Sequence, residues 1–163
     1  PGPTTNDPRY EVNTLAPRPA SLYCRAEHPL LKARLSEPRP EQVPDFPWAM
    51  VQIDNLIEAQ LRQLFAVKGD HELPIRLRCD NQALLLESVM SSDAILFTWE
   101  AWLERELAHG SIVDLGARLQ PAIPVQARQL SVGIVQLSGR TLSPAARKLI
   151  SLIMEREAAP HMA

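Results

Sequence analysis

The stretch Leu73–Leu115 constrains the fold more than any other part of the chain, because strand and helix patterns alternate along it. Residues 75–79, IRLRC, alternate apolar and charged side chains, which predicts a strand with one buried face. Asp80 or Asn81 can then cap a helix by accepting a hydrogen bond from its first turn. The apolar run Ala94–Phe97 has the length of a buried strand. The stretch therefore begins as a strand, a helix and a second strand.

A second helix and a third strand complete this stretch. A helix is predicted over Glu100–His109, ended by Gly110 at the position where a left-handed residue is common. Ile112–Leu115 is predicted to be a short strand. Strands separated by helices imply crossover connections, and therefore an α/β fold with a parallel or mixed sheet. Such sheets bind ligands beyond the carboxyl ends of their strands, which are here Cys79-Asp80-Asn81 and Thr98-Trp99.

The flanking segments add strands, connectors and a final helix. Strands are predicted at Ser21–Arg25, Trp48–Ile53 and Gln129–Leu137. Five prolines between positions 29 and 47 interrupt the region between the first two strands, which is either a linker between two lobes or a surface loop. Ser143 and Pro144 begin the last helix with a capping residue and a first-turn proline. The apolar stripe of that helix comprises Ala146, Leu149, Ile150 and Ile153.

Composition excludes several classes of protein. The 163 residues are 45% hydrophobic, which is enough for a core, and the formal net charge is −2. A nucleic-acid-binding domain usually carries a basic patch, so we expect this chain not to bind DNA by itself. Its apolar runs are too short to span a membrane, and no secretory signal opens it. Cys24 and Cys79 have no metal-ligand spacing, which favours free thiols and a cytoplasmic protein.

No motif for catalysis or for a cofactor is present in the sequence. The chain has no glycine-rich phosphate loop, no GxSxG and no HExxH. A nucleophilic Cys79 would be disfavoured by its neighbour Asp80, because a carboxylate opposes formation of the thiolate. Trp99 directly follows a predicted strand and is either a pocket wall or part of the core. The four histidines, His28, His71, His109 and His161, are scattered and have no metal-ligand spacing.

Three segments together resemble the effector-binding domain of LysR-type transcriptional regulators. LYCRAEHPLL resembles the family's strand ending in HPL, and DNQALLLESVMSSDAILFTWEAWLERELAHGSIVDL resembles its central helix, strand and helix. QLSVGIVQLSGRTLSPAARKLISLIMERE resembles its last strand and closing helix, with SPAARKLI the most telling part. The resemblance spans Leu15–Glu157. Ser92 and Ala94 stand where the family commonly has glycines, and Trp99 stands where it often has proline.

The resemblance implies a periplasmic-binding-protein-like α/β fold with one lobe complete and a second lobe in part. Residues 1–39 would form a partial first lobe and a hinge, and residues 40–115 a complete second lobe with a mixed, mostly parallel sheet. Residues 116–163 would supply the return hinge, a strand and the C-terminal helix of the first lobe. We expect self-association to a dimer or tetramer, and DNA binding only through an N-terminal helix-turn-helix that this sequence lacks.

The function implied by the resemblance is effector sensing. A bacterial, LysR-type regulator would bind a small metabolite between its two lobes, without a cofactor, to control DNA binding or transcription. A solute-binding module of a transport system is the alternative, and an enzyme ranks third because no acid–base or nucleophile set is present. SPAARKLI and the HPL segment favour the regulator. The predicted ligand-binding residues are Asn81, Thr98, Trp99, Cys79 and Asp80, with Glu27 and His28 from the hinge side.

Overall fold

The computed structural model describes residues 7–32, 37–53, 55–65 and 72–158. Its strands are β1 (Tyr10–Thr14), β2 (Arg18–Arg25), β3 (Trp48–Met50), β4 (Ile75–Arg78), β5 (Ile95–Trp99), β6 (Ile112–Asp114), β7 (Gln129–Leu130) and β8 (Gly133–Leu137). Its α-helices are α1 (Pro29–Lys32), α2 (Asn55–Leu64), α3 (Gln82–Ser91), α4 (Glu104–Ala108), α5 (Leu115–Arg118) and α6 (Pro144–Ala158). Short 3-10 helices span Pro40–Asp45, Glu100–Trp102 and Val125–Arg128.

The chain divides into two compact units. The larger unit is Pro19–Arg128, and the smaller one combines Pro1–Arg18 with Gln129–Ala163. The sequence placed residues 40–115 in one lobe, whereas the larger unit begins earlier because β2 pairs with β5 and β6. The assignment of these units to complete and partial lobes stays a prediction.

A mixed sheet forms the centre of the larger unit, with its strands in the order β4-β3-β5-β2-β6. β3 runs parallel to both β4 and β5, as expected for strands joined through the crossover helices α2 and α3. β2 runs antiparallel to β5 on one side and to β6 on the other. The predicted α/β class with a mixed, mostly parallel sheet is therefore confirmed.

The core of the larger unit is made by strands whose side chains are buried on both faces. All of β3 is buried, and so are the first four residues of β5. Helix α3 packs on these two strands through Leu85 and Val89. The Trp48 ring lies edge-on to Phe65 at 5.2 Å between centroids, and its indole N–H donates to the Val43 carbonyl at 3.3 Å. Trp48 is thus a core residue.

Helix ends follow the capping chemistry read from the sequence. Asn81 Oδ1 accepts from the Leu84 amide at 3.1 Å and caps α3, so the cap is Asn81 and not Asp80. Ser143 Oγ accepts from the Ala146 amide at 3.2 Å and caps α6. Gly110 has a φ of +69°, the left-handed conformation that glycine adopts without strain.

Two predicted elements are each divided in two. The helix predicted over Glu100–His109 breaks at Leu103, whose side chain is buried and whose backbone is not helical (φ −120°, ψ 10°). The strand predicted over Gln129–Leu137 is interrupted before Gly133, and the Val132 carbonyl there accepts from the Leu15 amide at 2.9 Å. In both places a specific tertiary contact overrides the periodic pattern.

The smaller unit contains a two-stranded antiparallel sheet of β1 and β8, together with helix α6. The register runs from Tyr10 opposite Leu137 to Thr14 opposite Gly133. Within the predicted apolar stripe on α6, Leu149 is 60% exposed, so this side chain is not part of a core. Along the part of the chain that the structure describes, no helix combines the length and apolar character needed to cross a membrane.

Two adjacent leucines on α3 provide a test of this packing. Leu85 is 1% exposed and Leu84 is 48% exposed. We expect Leu85→Ala to lower the free energy of unfolding by about 2–5 kcal/mol, because it removes buried methyl groups and leaves a cavity. Leu84→Ala, the matched control, should change it by less than about 0.5 kcal/mol. Equal effects of the two variants in urea unfolding curves would contradict the orientation of α3.

Candidate functional site at the carboxyl edge of the sheet

The carboxyl ends of β4 and β5 lie at the same edge of the sheet, because both strands run parallel to β3 between them. The predicted ligand residues that follow these strands are Cys79, Asp80 and Asn81 after β4, and Thr98 and Trp99 at the end of β5. An open cleft of about 700 Å³ lies at this edge, lined by Asp80, Asn81, Gln82, Ala83 and Leu86. The structure therefore brings the two predicted strand ends to one edge.

The β4 end is held by short polar contacts. Asp80 Oδ1 accepts from the backbone amide of Gln52, which follows β3, at 3.3 Å. The Cys79 thiol approaches the Asn81 carbonyl at 3.7 Å. Asn81 uses its side-chain oxygen to cap α3, so its capping role and its predicted ligand role fall on one side chain. Asp80 and Asn81 are exposed and Cys79 is half-buried, so the two cleft residues are open to a ligand.

The β5 end is more deeply buried. Thr98 is completely buried, and among the described residues its hydroxyl has no hydrogen-bond partner. The indole N–H of the half-buried Trp99 likewise has none within that part of the chain. The Trp99 ring lies against Trp102 at 5.1 Å between centroids. Gln82 Nε2 donates to the Trp102 carbonyl at 2.7 Å, which ties the first turn of α3 to the segment after β5.

Glu27 and His28 are not part of this edge. β2 is antiparallel to β5, with Ala20 opposite Trp99 and Tyr23 opposite Leu96, so the end of β2 lies beside the start of β5. Glu27 and His28 follow that end and therefore lie at the opposite edge of the sheet. Their predicted contact with the effector, from the hinge side, stays a prediction. Glu27 is exposed, and its hydrogen bond to Lys32 at 2.6 Å lowers the pKa of its carboxyl.

His28 is a buried structural residue. Its ring packs on Phe46 at 4.6 Å between centroids. Nδ1 accepts from the Leu30 amide at 3.2 Å, which leaves Nε2 to donate to the Asp93 carbonyl at 3.1 Å. This arrangement requires the neutral ring. Burial lowers the pKa of His28, an effect that the hydrogen bond to Asp93 opposes.

A polar network that joins β2, β6 and the 3-10 helix Val125–Arg128 was not predicted. Ser21 Oγ donates to Asp114 Oδ1 at 2.6 Å, Arg128 forms an ion pair with Asp114, and Arg128 Nε donates to Ser21 Oγ at 3.2 Å. Tyr23 lies opposite Asp114, and burial, followed by the charge of Asp114, raises the pKa of its phenol. These residues are far apart in the sequence, so no motif could reveal them. By contrast, Gln82 could have been predicted as a cleft residue from the sequence, because it directly follows Asn81 and begins α3.

Neither a metal site nor a reactive thiol is indicated. In the ranges that the structure describes, no three His, Cys, Asp or Glu side chains form a group that could hold a metal ion. His71 and His161 lie outside these ranges. Both cysteines are free, as expected from the sequence. Burial raises the pKa of the Cys24 thiol to about 12, so it remains protonated.

Solved structures with the same fold are effector domains of transcriptional regulators. The CcmR regulatory domain of Synechocystis PCC6803, solved in complex with 2-PG, matches with a TM-score of 0.66 at 15% identity over 98% of this chain and 72% of that one. The effector domain of AmpR of Pseudomonas aeruginosa matches with a TM-score of 0.60 at 18% identity, over 96% of this chain and 69% of that one. The effector-binding domain of QuiR in complex with shikimate matches with a TM-score of 0.66 at 15% identity. This match covers 96% of this chain and 69% of that one.

The chain belongs to the LysR substrate-binding domain family, whose model matches residues 1–158. A curated relative, the SDS degradation transcriptional activation protein of Pseudomonas sp. (strain ATCC 19151), is 31% identical over 153 residues. The match covers 94% of this chain and 47% of the relative, so the chain spans about half of the relative's length. The resemblance to LysR-type effector-binding domains noted in the sequence is therefore confirmed.

The neutral state of His28 predicts a pH dependence of stability. Its pKa is lower in the folded than in the unfolded state, so the unfolded state binds more protons as the pH falls below about 6.5. Its contribution to stability is therefore complete above that pH and is lost as the pH falls towards the folded-state value. In His28→Gln we expect a smaller loss of melting temperature between about pH 8 and pH 5.5 than in the unsubstituted protein.

His109 provides the control for this experiment, because it is exposed at the end of α4. His109→Gln should keep the pH dependence of the unsubstituted protein. An unchanged pH dependence in His28→Gln would show that other groups control acid destabilisation.

Proposed function

We propose that this chain is the effector-sensing part of a bacterial LysR-type transcriptional regulator and has no catalytic role. The observation that carries the proposal is the family match over residues 1–158, together with a ligand-sized cleft at the carboxyl edge of the sheet. Effector binding would control DNA binding or transcription by the whole protein in the cytoplasm. DNA contact would come from a helix-turn-helix elsewhere in that protein. A solute-binding module is disfavoured because the matching relatives described above are regulators.

The proposed effector is a small molecule with an apolar part and hydrogen-bonding oxygens. Ala83 and Leu86 give the cleft an apolar wall, and Trp99 beside Trp102 would extend it. Gln82 and Asn81 offer side-chain amides. The Asp80 carboxylate at the cleft disfavours a strongly anionic group close to it. The residues proposed to contact the effector are Asn81, Thr98, Trp99, Cys79 and Asp80, to which we add Gln82.

The relatives suggest which compounds to test first. The curated relative is named for SDS degradation, and two of the similar structures contain 2-PG and shikimate. A thermal-shift screen should therefore include these two compounds, octyl sulfate as a soluble alkyl sulfate, and 1-octanol as the alcohol that its hydrolysis would release. A ligand present at about 100 times its Kd stabilises the folded state by about 2.7 kcal/mol, which such a screen detects.

Thr98→Val tests the effector site with the compound that gives the largest shift. Valine nearly preserves the volume but removes the hydroxyl, so a bound polar group would lose its partner at a cost of about 1–3 kcal/mol. Stability of the free protein should not fall, because the hydroxyl has no partner among the described residues. Titration calorimetry measures the affinity. Ser151→Ala, on the exposed side of α6, should leave it unchanged.

Gln82→Ala is the companion variant on the other strand end. It removes the side-chain bond to the Trp102 carbonyl and a cleft amide, while the Asn81 cap of α3 is retained. Asn81→Ala would be harder to interpret, because loss of the cap alone costs about 1 kcal/mol of stability. If Thr98→Val and Gln82→Ala both bind the compound with unchanged affinity, the effector site lies elsewhere in the protein.

The smaller unit presents an apolar surface that we propose to mediate self-association to a dimer or tetramer. A groove of about 640 Å³ runs between β8 and α6, and Leu149 at its side is 60% exposed. In the described part of this unit, the other exposed large apolar side chains are Tyr10, Val135, Leu137, Leu152 and Met154. Surface of this kind and the open edges of a two-stranded sheet favour association.

Light scattering over a range of protein concentrations tests this proposal. We expect a mass above that of the monomer at high concentration, and a shift towards the monomer in Leu149→Lys. Leu84→Lys, at a leucine that is 48% exposed on α3 of the larger unit, is the control and should not change the mass. A monomer at every concentration, or dissociation caused by Leu84→Lys alone, would contradict this placement of the interface.

A further inference from the structure

Polar side chains fasten the connection between β2 and β3 to the turn that joins α3 to β5. Arg25, the last residue of β2, donates from Nε to the Ser92 carbonyl at 3.0 Å and pairs with Asp93 at 2.6 Å. Ser92 and Asp93 form the α3–β5 turn. His28, which follows Arg25, reaches the same turn, with Nε2 at 3.1 Å from the Asp93 carbonyl. The start of the β2–β3 connection is therefore held to this turn at two points.

The His28 ring joins three parts of the larger unit. Nδ1 accepts from the Leu30 amide in the first turn of α1 at 3.2 Å, while Nε2 donates to Asp93 in the α3–β5 turn. The ring packs on Phe46, which lies shortly before β3, at 4.6 Å between centroids. His28 is completely buried. One side chain thus holds both α1 and the end of the β2–β3 connection against the turn.

A protonated ring could not keep these contacts. An imidazolium carries a hydrogen on each nitrogen, so Nδ1 would become a donor that faces the Leu30 amide, another donor, across 3.2 Å. The bond to Asp93 would remain, because Nε2 donates in both protonation states. Protonation therefore removes the bond to α1 and also places a positive charge in a buried position, which is costly.

The charged groups around His28 do not balance a positive ring. Arg25 and Asp93 face it from β2 and from the α3–β5 turn, and they are paired with each other. Burial is the largest influence on the pKa of His28 and lowers it. The other charged residues next to the ring contacts are exposed, namely Glu27 and Lys32, which pair with each other, and Asp45 beside Phe46. The closed arrangement therefore favours the neutral ring.

We propose that His28 is a pH-sensitive clasp, whose neutral ring fastens α1 and Phe46 to the α3–β5 turn and whose protonated ring releases them while the sheet stays folded. The open form exposes the ring to water and binds a proton more readily than the closed form. Its population therefore rises as the pH falls below about 6.5, the ordinary value for histidine. The release would uncover Leu30, which is 6% exposed in the closed form. The clasp needs no effector.

Hydrogen exchange of single backbone amides, measured by NMR on the whole chain without any ligand, tests the clasp. Each rate is divided by the rate of an unstructured peptide at the same pH, which gives a protection factor. We expect the protection of the Leu30 amide to fall about five- to tenfold between about pH 7.5 and pH 5.5, because opening takes up one proton. The Leu84 amide is the matched control and should keep its protection, since its acceptor, Asn81 Oδ1, does not titrate.

The Phe97 amide, in the middle of β5, shows whether the opening is local. We expect it to be at least about ten times better protected than the Leu30 amide at both pH values, because its exchange requires the sheet to unfold. Equal protection of Leu30 and Phe97 would overturn a local opening. A Leu30 amide whose protection does not change with pH, or an equal fall at Leu84, would also overturn the proposal.

His28→Gln removes the titrating group and should make the protection of the Leu30 amide independent of pH. His109→Gln, at an exposed histidine, should keep the fall. If His28→Gln does not fold, the ring nitrogen signals of the unsubstituted protein decide the question. The His28 ring should be neutral at about pH 6.5, where a free histidine is half protonated, and should carry its hydrogen on Nε2. A half-protonated ring at that pH, or a hydrogen on Nδ1 of the neutral ring, would contradict the clasp.

Discussion

The antiparallel pairing of β2 with β5 and β6 determines which residues lie beside each end of β5. It places β2 between β5 and β6, in a sheet in which β3 runs parallel to both β4 and β5. Ser21 is thereby placed next to Thr98 at one edge, and Arg25 next to Asp93 at the other. The pairing also buries Tyr23 and Cys24 completely.

The identities of the elements could be predicted from the sequence, but the direction of β2 could not. Alternation in IRLRC, the Asn81 cap and Gly110 are local signals, and each was confirmed by a backbone feature. Periodicity gives the face that a strand buries and carries no information about its neighbours or its direction. Periodicity therefore could not indicate that Glu27 and His28 follow β2 at the edge opposite to the carboxyl end of β5.

The same limit explains which site residues were found and which were missed. Asn81 comes shortly after β4, and Thr98 and Trp99 end β5. The rule that α/β sheets bind ligands beyond the carboxyl ends of their strands therefore predicts all three as site residues. Ser21, Asp114 and Arg128 meet only in the folded unit, through the pairing of β2 with β6 and the position of the 3-10 helix Val125–Arg128. Asp114 is 93 positions from Ser21 in the sequence, and Arg128 is 107 positions from it. The division of the Glu100–His109 helix has a related cause, since Leu103 becomes buried only in the context of the folded unit.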